Sequence, residues 1–329
     1  MSARTKRIEG AAADASVELG PLRLAHPLIN ASGTLDLFEA AQALGPGFLE
    51  DPPVACYVPK TVTLLPRRGN EPPRILETAA GMLNAIGLPN DGVEAFVAQE
   101  LPRLLGLPRP LLLNVGGFSA EDYVVMAEIL RAALDRHAGG GAKGWRSRVG
   151  LEMNISCPNV HSGCLSIGTS PEETTAAVAG VRRVWSGFLV AKLTPNVTDI
   201  VPVARAAEAA GADALSLVNT FKGMALDRAT LLPYLGNVTG GLSGPAVKPL
   251  ALRFVYEVYE AVSVPLIGMG GVSVVQDVLD FMACGARVVA VGAAGFADPW
   301  LPAKLADGLR TELASRGWTV GDLVGRAHK

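Results

Sequence analysis

Short apolar runs and amphipathic segments alternate along the chain. Eight apolar runs are each bounded by turn residues, and they occupy positions 27–31, 54–61, 111–116, 149–155, 188–193, 214–220, 265–269 and 287–292. Most of them are continuous rather than alternating, which is typical of parallel strands that are covered on both faces. Helical patterns separate the runs, at 37–44, 93–105, 120–136, 171–185, 199–210, 249–262, 274–283 and 299–313.

This alternation predicts an α/β fold. Eight strand–helix repeats in a chain of 329 residues favour a closed (β/α)8 TIM barrel over an open doubly wound sheet. No Gly-x-Gly-x-x-Gly sequence follows the first strand, which further weakens the dinucleotide-binding alternative. The connections 62–92 and 221–247 are too long for ordinary barrel loops, so we expect capping insertions on the C-terminal face.

The composition bounds the domain organisation. Hydrophobic residues make up 49% of the chain and charged residues 18%, which is enough apolar material for a large core. We predict a disordered N-terminal extension over residues 1–16, which is charged and alanine-rich, and a single domain over 17–329. The extension lacks the apolar centre of a secretory signal, and no apolar run is as long as a membrane span.

The net charge and the cysteine spacing limit which partners and cofactors the chain can have. The formal net charge is −2 and no run of basic residues occurs, which argues against binding to nucleic acid or to an anionic membrane. The four cysteines form no Cys-x-x-Cys pair, so we expect neither a metal site nor an iron–sulfur cluster in this chain. We therefore expect a cytoplasmic protein with reduced thiols, whose partners are small molecules or other proteins.

The sequence Asn154-Ile155-Ser156-Cys157-Pro158-Asn159-Val160 closes the fourth predicted strand. It places a thiol between two asparagine amides at the C-terminal end of a strand, where an α/β barrel carries its chemistry. A proline that ends strand pairing and two amides that need polar partners favour a loop facing a cleft over an inert, packed cysteine. No histidine lies at a strand end, so we interpret Cys157 as the catalytic residue and its thiolate as a base.

Further polar residues follow the predicted strands, and the C-terminal ends of these strands share one mouth. They are Ser32, Lys60 with Thr61, Asn114, Asn154, Lys192, and Asn219 with Thr220, together with Asn84 in the first capping connection. One asparagine at a strand end often only satisfies loop backbone groups, whereas four asparagines and two lysines indicate a binding site. Gly270-Gly271 and Gly292-Ala293, after the last two strands, indicate a phosphate site, because bare backbone N–H groups can approach an anion closely.

Lys192 lies inside the apolar run 189–193, and a lysine in a buried strand needs a role. It could form a Schiff base, as in an aldolase, or it could stay charged and balance an anion. Lys60 has the same two possibilities, and it could also be a solvent-exposed lysine at the edge of the sheet.

Several segments resemble the class 1 dihydroorotate dehydrogenases, which are flavin-containing barrels of pyrimidine biosynthesis. The resemblance runs from about residue 17 to residue 323 and is most specific at 81–88 (GMLNAIGL), 154–160 (NISCPNV), 192–195 (KLTP), 240–246 (GGLSGPA) and 268–271 (GMGG). It is strongest for class 1B, the NAD-linked branch whose catalytic subunit works with a separate electron-transfer subunit.

The resemblance implies an FMN-dependent oxidoreductase that converts dihydroorotate to orotate. It implies that Cys157 removes a proton from C5 of dihydroorotate while the C6 hydride passes to N5 of FMN. The implied substrate-binding residues are Lys60, Asn84, Ala85, Ile86, Gly87, Leu88, Asn154, Asn219 and Thr220. The implied FMN-binding residues are Ser32, Lys60, Thr61, Asn114, Asn154, Lys192, Val218, Gly244, Gly270, Gly271, Gly292 and Ala293, with the two glycine-containing pairs on the phosphate.

Two residues depart from the family pattern. Ala293 stands where the family usually has threonine after the last strand, which removes a hydroxyl donor to phosphate but leaves both backbone N–H groups. Cys164 adds a second thiol seven residues after Cys157. We expect the site to bind FMN despite the first departure, and the second leaves open which thiol reacts with labelling reagents.

The partner and the electron acceptor are the least constrained features. The resemblance implies a homodimeric core that binds an iron–sulfur flavoprotein subunit carrying FAD and a 2Fe-2S cluster. A self-sufficient enzyme that uses fumarate is the alternative. Related FMN barrels, such as dihydropyrimidine dehydrogenase and tRNA dihydrouridine synthase, also remain, although the charge disfavours a tRNA substrate and Lys60 favours a carboxylate-bearing one. A Schiff-base lyase would give Cys157 no role. A non-catalytic scaffold would not need the cysteine, lysines and asparagines that are all present at the mouth.

Overall fold

The computed structural model describes residues 13–137, 144–156 and 164–329. Within these ranges the strands are β1 (Val17–Leu19), β2 (Leu22–Leu24), β3 (Leu28–Asn30), β4 (Ile75–Thr78), β5 (Gly81–Asn84), β6 (Leu111–Val115), β7 (Val149–Asn154), β8 (Phe188–Lys192), β9 (Ala214–Leu217), β10 (Phe221–Met224), β11 (Thr239–Ser243), β12 (Leu266–Met269) and β13 (Ala286–Val291).

The α-helices are α1 (Leu37–Leu44), α2 (Gly47–Glu50), α3 (Gly92–Ala95), α4 (Leu101–Leu105), α5 (Ala120–His137), α6 (Cys164–Thr169), α7 (Pro171–Val184), α8 (Val201–Ala209), α9 (Lys248–Tyr259), α10 (Val275–Ala283), α11 (Ala294–Ala297), α12 (Leu301–Arg316) and α13 (Val320–Leu323). A π-helical turn, Phe96–Glu100, joins α3 to α4, so the predicted helix 93–105 is continuous but irregular. None of the described helices is both long enough and apolar enough to cross a membrane.

The central sheet is parallel and has the order β3-β13-β12-β9-β8-β7-β6. Helices such as α5, α7 and α8 pack side by side along its outer surface. This arrangement confirms the predicted (β/α)8 barrel, because each parallel strand of the barrel is followed by a helix that returns along its outside.

The predicted second strand, 54–61, is wrong as a regular strand. The segment does lie between β3 and β6, since the N–H of Ala55 donates to Leu28 O (2.9 Å) and the N–H of Leu112 donates to Tyr57 O (3.0 Å). Pro59 has no N–H for a ladder. The Asn30 side chain takes the place of a neighbouring backbone, accepting from the N–H of Val58 (3.0 Å) and donating to its carbonyl (2.7 Å).

Two apolar layers result from the alternation of side chains along each strand. Leu151, Leu189 and Leu215 belong to the outer core under the helices, whereas Leu112 and Val190 face the barrel interior. The hairpin β1–β2 packs its buried side chains onto this interior cluster beside Phe188, at the N-terminal ends of the strands. One end of the barrel is therefore closed by apolar side chains, which leaves the opposite end for a site.

The two long connections pair with each other to form a cap. They supply an antiparallel sheet in the order β10-β11-β5-β4, with Asn84 opposite Gly241. A side chain at Gly241 would clash with the Thr220 hydroxyl, so glycine is needed where the cap meets the mouth. The capping role of these connections was predicted from their length, but their sheet structure was not.

The structure describes the chain from residue 13, a few residues before the first strand. Residues 1–12 of the predicted extension lie outside the described residues. Ala15 is 1% exposed and packs into the outer core, and the Asp14 carboxylate accepts from the N–H of Ser16 (2.8 Å). The chain is therefore ordered shortly before β1 begins at Val17.

Candidate functional site

A cavity of about 820 Å³ opens at the C-terminal ends of the barrel strands, beneath the cap. This volume is typical of small-molecule sites, which usually span ~300–1,000 Å³. Most of the predicted site residues line it: Ser32, Lys60, Thr61, Asn84, Ile86, Gly87, Leu88, Asn154, Lys192, Val218, Asn219, Thr220, Gly244, Gly270, Gly271, Gly292 and Ala293.

Two of the described predicted residues, Ala85 and Asn114, are not part of that lining. Ala85 is fully buried in the cap, where its N–H donates to Arg74 O (2.8 Å). Asn114 is buried behind Thr61, one layer below the cavity. Cys157 lies outside the described residues, as does the side chain of Cys164, so the assignment of the base remains a prediction.

Asn154, Ser156 and Asn219 form one hydrogen-bonded cluster immediately before the predicted base. The Asn219 Nδ2 donates to Asn154 Oδ1 (3.1 Å) and to Ser156 Oγ (2.9 Å), and the Ser156 hydroxyl donates to Asn154 Oδ1 (3.0 Å). Ser156 is fully buried and Asn154 is 4% exposed. These contacts fix the end of β7 and Ser156, the residue directly before Cys157, against the strand end that carries Asn219.

A second network extends downward from Thr61 into the barrel. The Thr61 hydroxyl donates to Asn114 Oδ1 (2.5 Å), and the Asn114 amide donates to the Glu152 carboxylate. The other carboxylate oxygen of Glu152 accepts from the Ser216 hydroxyl (2.6 Å). Glu152 and Ser216 were not among the residues predicted for the site. A glutamate inside the apolar run 149–155 was as anomalous as Lys192 and could have been found by the same reasoning.

The two lysines of the mouth differ in burial. Lys192 is 5% exposed at the end of β8, where it pairs in register with Asn154 on one side and Ser216 on the other. Lys60 lines the cavity but is exposed to solvent. A buried cation at the cavity wall and an exposed cation at its rim provide two separate positions for anionic groups of a ligand.

The glycine pairs offer backbone N–H groups to the cavity. Those of Gly271, Gly292 and Ala293 donate to none of the described residues. Gly271 has a φ of 77° and a Cβ there would lie 2.7 Å from Gly244 O, so the fold itself requires glycine. A Cβ at Gly292 would meet only Ala31 Cβ, at 3.8 Å, so the space in front of Gly292 is open. This geometry suits an anion held by backbone donors.

The cap segment 84–88 is held by Asn90, which was not among the residues predicted for the site. The Asn90 Nδ2 donates to Leu88 O and to Thr63 Oγ1, both at 2.8 Å, and Oδ1 accepts from the N–H of Gly92 (2.8 Å). Leu88 has a φ of 58°, a left-handed conformation that a non-glycine residue adopts only when its surroundings require it. Asn90 therefore fixes the shape of the cap segment above the mouth.

Behind the glycine pairs, Lys248 forms a compact ion-pair cluster with α10. Its Nζ lies 2.6 Å from both Asp277 Oδ1 and Asp280 Oδ2. Burial opposes the charged form, but the hydrogen bonds to the two carboxylates raise the pKa of Lys248 above its usual value. Because a Cβ at Gly271 would lie 2.9 Å from Lys248 Cβ, this cluster supports the backbone of the glycine pair rather than supplying a free cation to the cavity.

Comparison with known proteins identifies the family. The family model described as dihydroorotate dehydrogenase matches residues 15–313. A protein of Desulforudis audaxviator named dihydroorotate dehydrogenase B (NAD(+)), catalytic subunit, is 45% identical, and the match covers 95% of this chain and 97% of the relative. Proteins of the same name from Trichlorobacter lovleyi and Bacillus pumilus are 43% and 44% identical, over 94% and 95% of this chain and 97% and 96% of theirs. The resemblance predicted from the five motifs is confirmed, and the chain belongs to the dihydroorotate dehydrogenase family.

Proposed function

We propose that the chain is the catalytic subunit of a class 1B dihydroorotate dehydrogenase, which oxidises dihydroorotate to orotate for UMP synthesis in the cytoplasm. FMN would occupy the inner part of the cavity and dihydroorotate the part under the cap. Family membership supports the activity, and the free thiols of Cys56 and Cys284 are compatible with a reducing compartment.

The main support for the proposal is the set of residues that line one cavity. Its wall combines the N–H groups of Gly271 and Gly292, which donate to no described residue, a buried lysine at 192, and an amide cluster that ends directly before Cys157. An anion site, a buried cation and paired amides match the phosphate, the electron-rich ring and the polar edge of FMN. The residues present therefore fit the cofactor, and a Schiff-base lyase would have no use for this amide cluster.

The chain's own residues would carry the proton chemistry. Loss of a proton from C5 and of a hydride from C6 leaves the C5=C6 double bond of orotate. Cys157 would accept the C5 proton, and the Asn154–Ser156–Asn219 cluster would hold the preceding backbone in place. When bound, FMN supplies the acceptor for the C6 hydride. Lys192, at the cavity wall, would stabilise the negative charge of the reduced cofactor.

Substrate selection would depend on the rim and on the cap. Lys60 is an exposed cation at the cavity and would bind the carboxylate of dihydroorotate, while Asn84 and Asn219 would pair with the ring amides. Dihydrouracil, the corresponding dihydropyrimidine for the related barrel dihydropyrimidine dehydrogenase, has no such carboxylate. The position of Lys60 therefore favours dihydroorotate.

We also propose a homodimeric core that binds an electron-transfer subunit carrying FAD and a 2Fe-2S cluster. The relatives are named catalytic subunits, which supports a separate partner. Ile75 and Phe296 line the cavity and are 51% and 58% exposed, so apolar surface lies beside the proposed cofactor. Exposed apolar groups of this kind are typical of surfaces that dock another protein.

The test is flavin bleaching by the FMN-loaded chain under anaerobic conditions, with dihydroorotate and dihydrouracil compared at equal concentration. We expect bleaching by dihydroorotate at least about tenfold faster, because a charge-assisted hydrogen bond contributes about 1.5–3 kcal/mol. The variant Lys60→Met should lose most of this preference. No bleaching with either compound, or equal rates for the wild-type chain, would overturn the proposal.

A further inference from the structure

Glu152 is a buried carboxylate in the floor beneath the cavity. It is 2% exposed and lies in the middle of β7, between two outer-core residues, Leu151 and Met153. Because side chains alternate along a strand, Glu152 points into the barrel interior, like Asn154 two residues later. It does not line the cavity. A carboxylate there is costly to bury and needs partners that compensate for the lost water.

The partners of Glu152 lie on both sides of β8. Asn114 on β6 donates to one carboxylate oxygen, and Ser216 on β9 donates to the other at 2.6 Å. Ser216 is the register partner of Lys192 on β8. The carboxylate thus reaches across the strand that carries the buried lysine of the cavity wall.

Glu152 and Lys192 are the buried ionisable side chains of the described barrel strands. They form no direct ion pair, since no described carboxylate lies within 4.0 Å of the Lys192 Nζ. Burial raises the pKa of the Cys56 thiol, and the negative charge of Glu152 raises it further, which agrees with a carboxylate that faces the barrel interior. The two opposite charges lie in successive layers, the cation at the cavity wall and the anion beneath it.

The carboxylate also fixes the direction of the hydrogen bonds above it. Because an ionised carboxylate only accepts, Asn114 turns its amide nitrogen toward Glu152 and its oxygen toward Thr61. The Thr61 hydroxyl proton is then committed to Asn114, and its oxygen accepts from Asn154 Nδ2 at 3.4 Å. Thr61 therefore presents an acceptor at the cavity wall.

We propose that Glu152 is a positioning residue for the cofactor end of the site, whose negative charge offsets Lys192 and lowers the midpoint potential of the bound flavin. Its two oxygens also set the hydrogen-bond direction through Asn114 to Thr61. This inference rests on the proposed function, since it requires FMN in the cavity. Glu152 does not touch the reacting atoms and acts through Asn114 and through the field of its charge at Lys192.

The test compares Glu152→Gln with Ser216→Ala in the FMN-loaded full chain. Glutamine keeps the shape and can accept from Asn114 while donating to Ser216, so this variant removes the charge alone. Ser216→Ala removes one donor and keeps the charge. Redox titration gives the midpoint potential of each variant, and fluorescence titration gives its dissociation constant for FMN.

We expect Glu152→Gln to keep FMN and to favour the reduced flavin by about tenfold or more, since a neighbouring charge shifts ionisation equilibria by about 1–3 pK units. For a two-electron couple this is a positive shift of about 30 mV or more. Ser216→Ala should stay near the wild-type potential. An unchanged potential in Glu152→Gln, or an equal shift in both variants, would overturn the inference.

Loss of FMN binding and misfolding of the variant can each be told apart from a failure of the inference. A wild-type chain that binds no FMN would refute the proposed function rather than the role of Glu152. If Glu152→Gln does not fold, the double variant Glu152→Gln/Lys192→Gln decides, because removal of both opposite charges should restore folding if the two charges offset each other. Failure of the double variant as well would count against the inference.

Discussion

Gly292 allows the cofactor site to be perturbed without disturbing the fold. The backbone at Gly292 is outside the left-handed region, and a Cβ there would meet only Ala31 Cβ at 3.8 Å. An alanine is therefore accommodated by the protein itself. We expect the unfolding free energy of the apo Gly292→Ala variant to stay within about 0.5 kcal/mol of wild type, or to rise by about 0.4–1 kcal/mol through the less flexible unfolded chain.

The added methyl group would instead occupy space in front of the N–H groups of Gly292 and Ala293. A phosphate held there would lose or lengthen one charge-assisted hydrogen bond, which is worth about 1.5–3 kcal/mol. We therefore expect the dissociation constant for FMN to rise by about 10- to 100-fold. Fluorescence titration of the apo chain with FMN measures this change, and thermal unfolding of the apo chain measures stability.

Gly295→Ala is the matched control. It is the same substitution three residues later, in α11, where a Cβ meets no heavy atom within 4 Å and the residue does not line the cavity. Its FMN affinity should equal that of wild type. Equal FMN affinity in Gly292→Ala and Gly295→Ala would refute the assignment of this backbone to the phosphate. A lower melting temperature of apo Gly292→Ala alone would show that the glycine serves the fold.

Three further predictions concern the chemistry and the acceptor. Cys157→Ala should keep FMN and orotate affinity but slow flavin reduction by about 10²–10⁴-fold in single-turnover stopped flow, and a wild-type rate would remove Cys157 as the base. Lys192→Ala should lower FMN occupancy or shift the flavin potential negative, so retained cofactor with an unchanged potential would contradict its role. The chain alone should not reduce NAD; brisk oxidation of dihydroorotate with fumarate, together with no subunit that co-purifies from the native source, would refute the partner proposal.

Much of the site could be predicted because, in a barrel, a residue at the C-terminal end of any strand lies at the same mouth. The C-terminal ends of parallel strands meet at one mouth, so polar residues such as Ser32, Lys192 and Asn219 converge although they are far apart in sequence. Helix positions followed from periodicity, as in α1, which was predicted at the observed bounds. These features depend on local pattern and on one general rule of architecture.

The features that were missed depend on contacts between distant segments. The cap sheet was not predicted because β4 and β5 are short and partly exposed, and β5 is completed by β11 about 157 residues away. The segment 54–61 departs from a regular strand because the Asn30 side chain takes the place of a neighbouring backbone at Val58. The position of Glu152 in an apolar run is visible in the sequence, but its partners Asn114 and Ser216 lie on other strands and could not be predicted from it. Only the folded chain brings these groups together.

If one cavity holds the flavin and the dihydropyrimidine together, a crystal structure of the chain with FMN and orotate should show both ligands in it. We expect the FMN phosphate on the N–H groups of Gly271 and Gly292, the flavin ring beside Lys192, and orotate between the ring and the cap at Asn84. A phosphate remote from both glycine pairs, or orotate bound outside the cavity, would contradict this expectation.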